Sequence, residues 1–358
     1  MYPLPTQEKL NTNLLAGSFN HTSATYKFYW FLAILDEVET GRVQIDKKVL
    51  FARMIASAWY TVNYFHISFG IQDQLQRAIS SIRLIENISI DEKKSVIVER
   101  LVNSNSRETG RALQYFDGEV PYRFLSPWFP QLKGNKKAIY DLSSSFQNEC
   151  IYSVDESKVI INPKWVNYLS LHAGILRSFC YWHLSLYLQK YNPNVPDIPN
   201  KLVRPAIRGN LTKQRKEFWD IIIGQTGPLN CIYTNRELHL ADYAVEHFLP
   251  YAFVSHDLVW NLIPADKIFN SSKSDKLPIW EKHFEPYFQL QKLALKTIWN
   301  INPGHKFIEE YLPLFPDLSA LDRLDDEAFR LRFKDTVQPL LTIASNNGFE
   351  NLVESIVG

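Results

Sequence analysis

Residues 22–41 read TSATYKFYWFLAILDEVETG, with apolar side chains over most of a helical surface, Ser and Thr at the start and Gly41 at the stop. A helix apolar nearly all round predicts burial inside a bundle. DKKVLFARMIASAWYTVNYF, DQLQRAISSIRLIEN and DEKKSVIVERLVN repeat the 3.6-residue spacing, each opened by an Asp suited to capping. GEVPYRFLSPWFP holds three prolines, which excludes a continuous helix. ECIYSVDESKVIINP predicts a hairpin, with β-rich flanks around a polar turn. WVNYLSLHAGILRSFCYWHLSLYLQKY predicts one long, largely buried helix. NPNVPDIPNKLVRP, with four prolines and three asparagines, is the clearest linker. Further helices are expected from WEKHFEPYFQLQKLALKTIWN onward, with LDRLDDEAF as a helix N-terminus or solvated face.

Composition adds limits to this pattern. Hydrophobic residues make up 46% and charged residues 22%, the balance of a globular chain with a large core. Net charge is +1, so no global pull toward nucleic acid or anionic membrane exists and any polyanion site is a local patch. Three scattered cysteines, Cys150, Cys180 and Cys231, exclude a disulfide framework and fit a reducing cytosol. No apolar run is long enough for a membrane span, and the polar N-terminus does not suit a signal peptide. A cytoplasmic protein is expected. Neither GxxxxGK[ST] nor GxGxxG occurs, which argues against nucleotide hydrolysis or dinucleotide binding.

The pattern changes between residues 228 and 275. PLNCIYTNREL predicts a short strand, a turn at Thr234-Asn235 and a returning strand; YAVEHFLP predicts a strand ending near Glu246 and His247. YAFVSHDLVWNLIPAD is expected as a loop returning through Asn261, and KIFNSSKSDKLP as a short helix bearing Asn270. These residue types suit phosphodiester hydrolysis. An imidazole with a pKa near ~6.5 takes a proton from water. A carboxylate (Glu246) and an amide oxygen (Asn270) suit a hard cation such as Mg²⁺ or Mn²⁺. Adjacent strand residues face opposite ways, so a strand end or bulge is expected to let Glu246 and His247 share a target. His247 is expected near solvent, and Asn261 is expected to pin the loop by side-chain to backbone hydrogen bonds. Lys273 and Lys276 are placed to meet phosphates. So is the basic segment 201–218, with Lys201, Arg204, Arg208, Lys213, Arg215 and Lys216 against one acid, Glu217. A zinc site from Cys231, His239 and His247 has no familiar ligand spacing.

Glu-His, Asn fourteen residues after the His and Asn twenty-three after it resemble the HNH (ββα-metal) nuclease motif. Asn270-Ser-Ser-Lys273-Ser-Asp275 resembles the tail of HNH domains in CRISPR effector and restriction nucleases. The Cys231 opening and the His256-Asp257-x-x-Trp260-Asn261-Leu-x-Pro264 core resemble stand-alone bacterial HNH proteins. The resemblance implies His247 as general base, Glu246 and Asn270 as ligands of one metal ion, and Asn261 as the loop-shaping residue. Glu stands here where Asp is common, and the zinc-binding cysteine pairs of many members are missing.

The expected fold is mainly α with a small embedded α+β nuclease module: residues 1–200 helical, 201–280 the module with its basic lead-in, 281–358 a C-terminal helical region packed on the others. The resemblance implies a metal-dependent endonuclease acting on DNA rather than RNA, in the layout of a bacterial defence or restriction effector. A protein partner or homo-oligomer is expected to act through the helical region, and no membrane. The rival expectations are a non-catalytic HNH scaffold, or a secondary nuclease subunit working mainly through protein contacts.

Overall fold

The computed structural model of the chain describes residues 4–8, 10–20, 22–203, 209–318 and 325–353. The chain divides into two compact units, Met1–Pro193 with Ile198–Arg204, and Asn194–Asp197 with Pro205–Gly358. It is mainly α, with small sheets of two or three strands.

In the first unit the helix Tyr26–Glu39 buries Phe28 to Leu35 without interruption, which its all-round apolar surface requires. It packs on the helix Lys47–Asn63, capped by Asp46 through the Lys48 N–H, and the helix Gln74–Ile85 is capped likewise by Asp73. The helix Lys94–Val102 departs from that pattern: it starts after Lys93, without a side-chain cap. The proline-rich stretch breaks into short turns, Pro121–Phe124, Ser126–Trp128 and Pro130–Leu132. The expected hairpin forms from β2 (Tyr152–Val154) and β3 (Lys158–Ile161), and β1 (Gln44–Asp46) joins it to give the antiparallel order β1-β3-β2.

The expected long helix is two. Pro163–Leu171 and Ala173–Tyr191 meet at His172, whose backbone is not helical. The second is only partly buried, exposing Ile175, Trp182 (57%) and Leu186, with Leu171 exposed just before it.

The second unit begins with a helical run over residues 212–226 that contains a π-helical turn, Arg215–Trp219, and stops at Gly227 in positive φ. Two antiparallel pairs follow: β4 (Leu229–Asn230) with β5 (Glu237–Leu238), and β6 (Ala244–His247) with β7 (Leu262–Ala265). The turn between β4 and β5 holds Asn235 at φ 58°, a conformation Asn tolerates. The helix Lys267–Lys273 comes next, then Trp280–Ile301 and Asp326–Asn346, the latter capped by Asp325. Residues 321–324 of the acidic stretch lie outside the described residues. No helix among the described residues is long and apolar enough to cross a membrane.

Candidate active site

The hairpin that carries the site is β6–β7, not the β4–β5 pair alone, because LIPA after Asn261 extends and pairs back onto AVEH. Its register is unbroken, with Glu246 opposite Ile263 and His247 opposite Leu262. No bulge relaxes it. Strand alternation sends the two side chains to different partners.

Glu246 meets the helix Lys267–Lys273. Its Oε1 accepts from Lys273 Nζ at 2.7 Å, and the same ammonium donates to the His247 carbonyl at 2.9 Å. Lys273 is wholly buried. The expectation that it meets substrate phosphates is therefore corrected: it is an internal cation, because the last turn of its short helix packs on β6. Asn270 stands three residues earlier, on the same face of that helix. Its Oδ1 is buried without a hydrogen-bond partner. Buried amide oxygens rarely stay unpaired, which sets this one apart within the module.

His247 is 3% exposed, which corrects the expectation of a residue near solvent. Its ring lies 5.5 Å from that of Tyr251, and Nε2 sits 2.9 Å from Asp257 Oδ1. This contact holds the imidazole ring in one orientation. Sequence reasoning placed Asp257 in the His256-to-Pro264 core that resembles stand-alone HNH proteins but gave it no role toward His247.

Asn261 closes that loop with both ends of its amide: Oδ1 accepts from Leu249 N at 2.8 Å and Nδ2 donates to Leu249 O at 2.9 Å, fully buried. The loop is also held from behind. Gln291 Nε2 donates to the carbonyls of Val259 (3.1 Å) and Leu262 (2.7 Å), and Tyr287 donates to that of Trp260 at 2.5 Å. Gln291 in turn accepts from the Tyr311 hydroxyl. Glu310 accepts from the Val259 N–H at 2.7 Å, and burial, with Asp257 adding its charge, raises its carboxyl above the usual range.

The helix bearing Asn270 is set at its start by Asp266, whose Oδ1 accepts from the N–H groups of Ile268 and Phe269. Arg236 ties the β4–β5 turn to Asp266 at 3.0 Å and to Asp242 at 2.7 Å, and holds the Asp266 carboxyl below its usual range. Cys231 Sγ accepts from the Asp266 N–H, while His239 pairs with Glu237 at the surface. Among the described residues no group of three or more His, Cys, Asp or Glu is gathered as a metal site, the Cys231–His239–His247 combination included.

Of the basic residues, Lys213 and Lys216 are exposed. Arg215 is half-buried over the Tyr243 ring, 4.7 Å from its centroid, and Tyr243 donates to Asp220. Lys276 is half-buried, and Lys201 is buried in the first unit. Arg204 and Arg208 lie outside the described residues.

A β-hairpin followed by a short helix, with Glu-His on the first strand, Asn at the loop end and Asn on the helix, defines a ββα nuclease-type module. Residues 231–279 match the family of HNH endonucleases, a span containing Glu246, His247, Asp257, Asn261, Asn270 and Lys273. The chain thus contains a segment matching HNH endonucleases, 49 of its 358 residues, with a large helical region ahead of it. No curated protein and no solved structure matches it.

Proposed function

We propose that this module hydrolyses phosphodiester bonds in DNA, with His247 as the general base. The observation that carries the reading is the His247–Asp257 contact at 2.9 Å, which orients the imidazole as a base that takes a proton from water. Asp257 acts as a positioning residue. Glu246 and Asn270 fit one hard divalent cation, Mg²⁺ or Mn²⁺: one gives a carboxylate and the other an unpartnered buried amide oxygen. When bound, that ion supplies positive charge against the negative charge developing on the phosphate. Asn261 keeps the Asp257-bearing loop in place. Lys213 and Lys216 serve as phosphate contacts, with Arg215 and Lys276 in reserve at half exposure.

The burial of His247 and the Lys273–Glu246 pair favour a module that must open before it cuts. The exposed stripe of Leu171, Ile175, Trp182 and Leu186 supports a protein partner or second copy on the helical unit. Both fit a defence or restriction effector held inactive until triggered.

The test is incubation of supercoiled plasmid with the full-length protein and Mg²⁺ or Mn²⁺, with and without chelator. His247→Ala is expected to lower the rate by about 10²–10⁴. Wild-type cutting by that variant, in a preparation free of contaminating nuclease, removes His247 from the mechanism.

A further inference from the structure

The helical unit contains a cavity of about 400 Å³ whose charge the fold leaves uncompensated. It opens at the first turn of the helix Tyr26–Glu39 and is lined by Thr22, Ser23, Lys27, Glu119, Arg123 and Ser126 among others. Lys27 is half-buried, and burial, with Arg123 nearby, pushes its ammonium below the usual lysine range. Among the described residues no acid forms an ion pair with it, and the nearby charge of Arg123 is of like sign. This sets Lys27 apart from other buried lysines, since Lys47 rests on Asp117 at 2.5 Å and Lys273 on Glu246 at 2.7 Å. The single acid in the cavity wall, Glu119, leans on Arg123 at 3.4 Å from a partly exposed position.

A half-buried ammonium without a counter-ion is costly unless something else brings the negative charge. The surroundings define what that is. Two cations and the hydroxyls of Thr22 and Ser23 present donors, whereas the start of the helix is already met by Asp73, which accepts from the Thr25 N–H at 2.6 Å. The volume is within the roughly 300–1,000 Å³ of small-molecule sites. We propose that this cavity binds a small phosphorylated molecule, with its phosphate between Lys27 and Arg123. Thr22 and Ser23 are the hydroxyls that meet the remaining phosphate oxygens, while the Ser126 hydroxyl donates to the Arg123 carbonyl at 2.6 Å.

Isothermal titration of the full-length protein with pyrophosphate, at fixed ionic strength, tests this. One saturable site is expected. Lys27→Met should weaken it by about tenfold or more, and Arg123→Gln by a smaller factor. Arg123 is half-exposed, so its variant decides the matter should Lys27→Met fail to fold. Competition with a short oligothymidylate separates the two sources of phosphate: failure to displace pyrophosphate supports a small-molecule site, and displacement overturns it in favour of a nucleic-acid backbone. Absence of binding at about 10 mM pyrophosphate, or equal binding by wild type and both variants, overturns the proposal outright.

Discussion

Replacing Asn261 with Ala removes two buried hydrogen bonds at once, to the N–H and the carbonyl of Leu249, at 2.8 and 2.9 Å. Each such bond contributes about 1 kcal/mol net, and each backbone group left buried and unpaired costs roughly 1–3 kcal/mol. Partial opening of the loop to water returns some of this, which leaves an expected loss of ~2–4 kcal/mol. Urea unfolding should show it as a lower midpoint at unchanged slope. Cleavage should fall as well, because the loop between Leu249 and Asn261 carries Asp257. Metal affinity should change little, since Glu246 and Asn270 stand on a strand and a helix outside that loop. Asn261→Asp provides a control: its carboxylate accepts from Leu249 N–H but has no proton for the Leu249 carbonyl until it is itself protonated. That variant should regain stability relative to wild type as pH falls. An Ala variant within about 0.5 kcal/mol of wild type, cutting at an undiminished rate, refutes the loop-closure argument.

Lys273→Met should destabilise the module by roughly 3–5 kcal/mol by leaving Glu246 buried and unpaired. Mn²⁺ should restore the variant's melting temperature by a larger increment than it gives wild type; equal increments would show that Lys273 and the metal do not compete for that carboxylate. His283 is held down to about 4, by burial first and then by Lys282 and Lys273, and its neutral Nδ1 accepts from the Ile279 N–H at 3.0 Å. Its unfolded pKa is near ~6.5, so the unfolded chain binds the extra proton between the two values. Stability is complete above about pH 6.5 and falls toward pH 4 by up to ~2–3 kcal/mol, and a His283→Gln variant with the same acid slope in thermal melts would remove this ring as the cause. Neutralising Lys213 and Lys216 together should reduce the slope of log affinity for duplex DNA against log salt by about 1.8, and an unchanged slope would place the phosphate contacts elsewhere.

The sequence exposed the site's chemistry better than its wiring. Spacing alone brought Glu246, His247, Asn261 and Asn270 onto one strand, one loop end and one helix, because local periodicity and turn residues are enough for that. Partners distant in sequence were hidden. A lysine on a short polar helix is by default exposed, and only the packing of that helix on β6 reveals Lys273 against Glu246, 27 residues away. Asp257 was invisible as a partner of His247 because a carboxylate in a loop has no periodicity to betray its direction. β1 was too short and too polar to read, and β7 passed for loop because Pro264 lies within it. The break at His172 escaped notice since apolar residues continue on both sides of it, and the same continuity concealed that Trp182 faces outward.

Gln291, Tyr287 and Glu310 all lie beyond residue 279, where the family match ends. They grip the backbone of residues 259–262, the part of the nuclease loop next to Asn261. Where many HNH domains are stapled by zinc, this one is stapled by its downstream helices. The matched segment is thus not portable: excised at residue 280, it would expose the carbonyls of Val259, Trp260 and Leu262 and lose the ring of Tyr287 stacked 3.9 Å from Phe248. Domain swaps that move this HNH module to another protein must carry the chain at least through Tyr311.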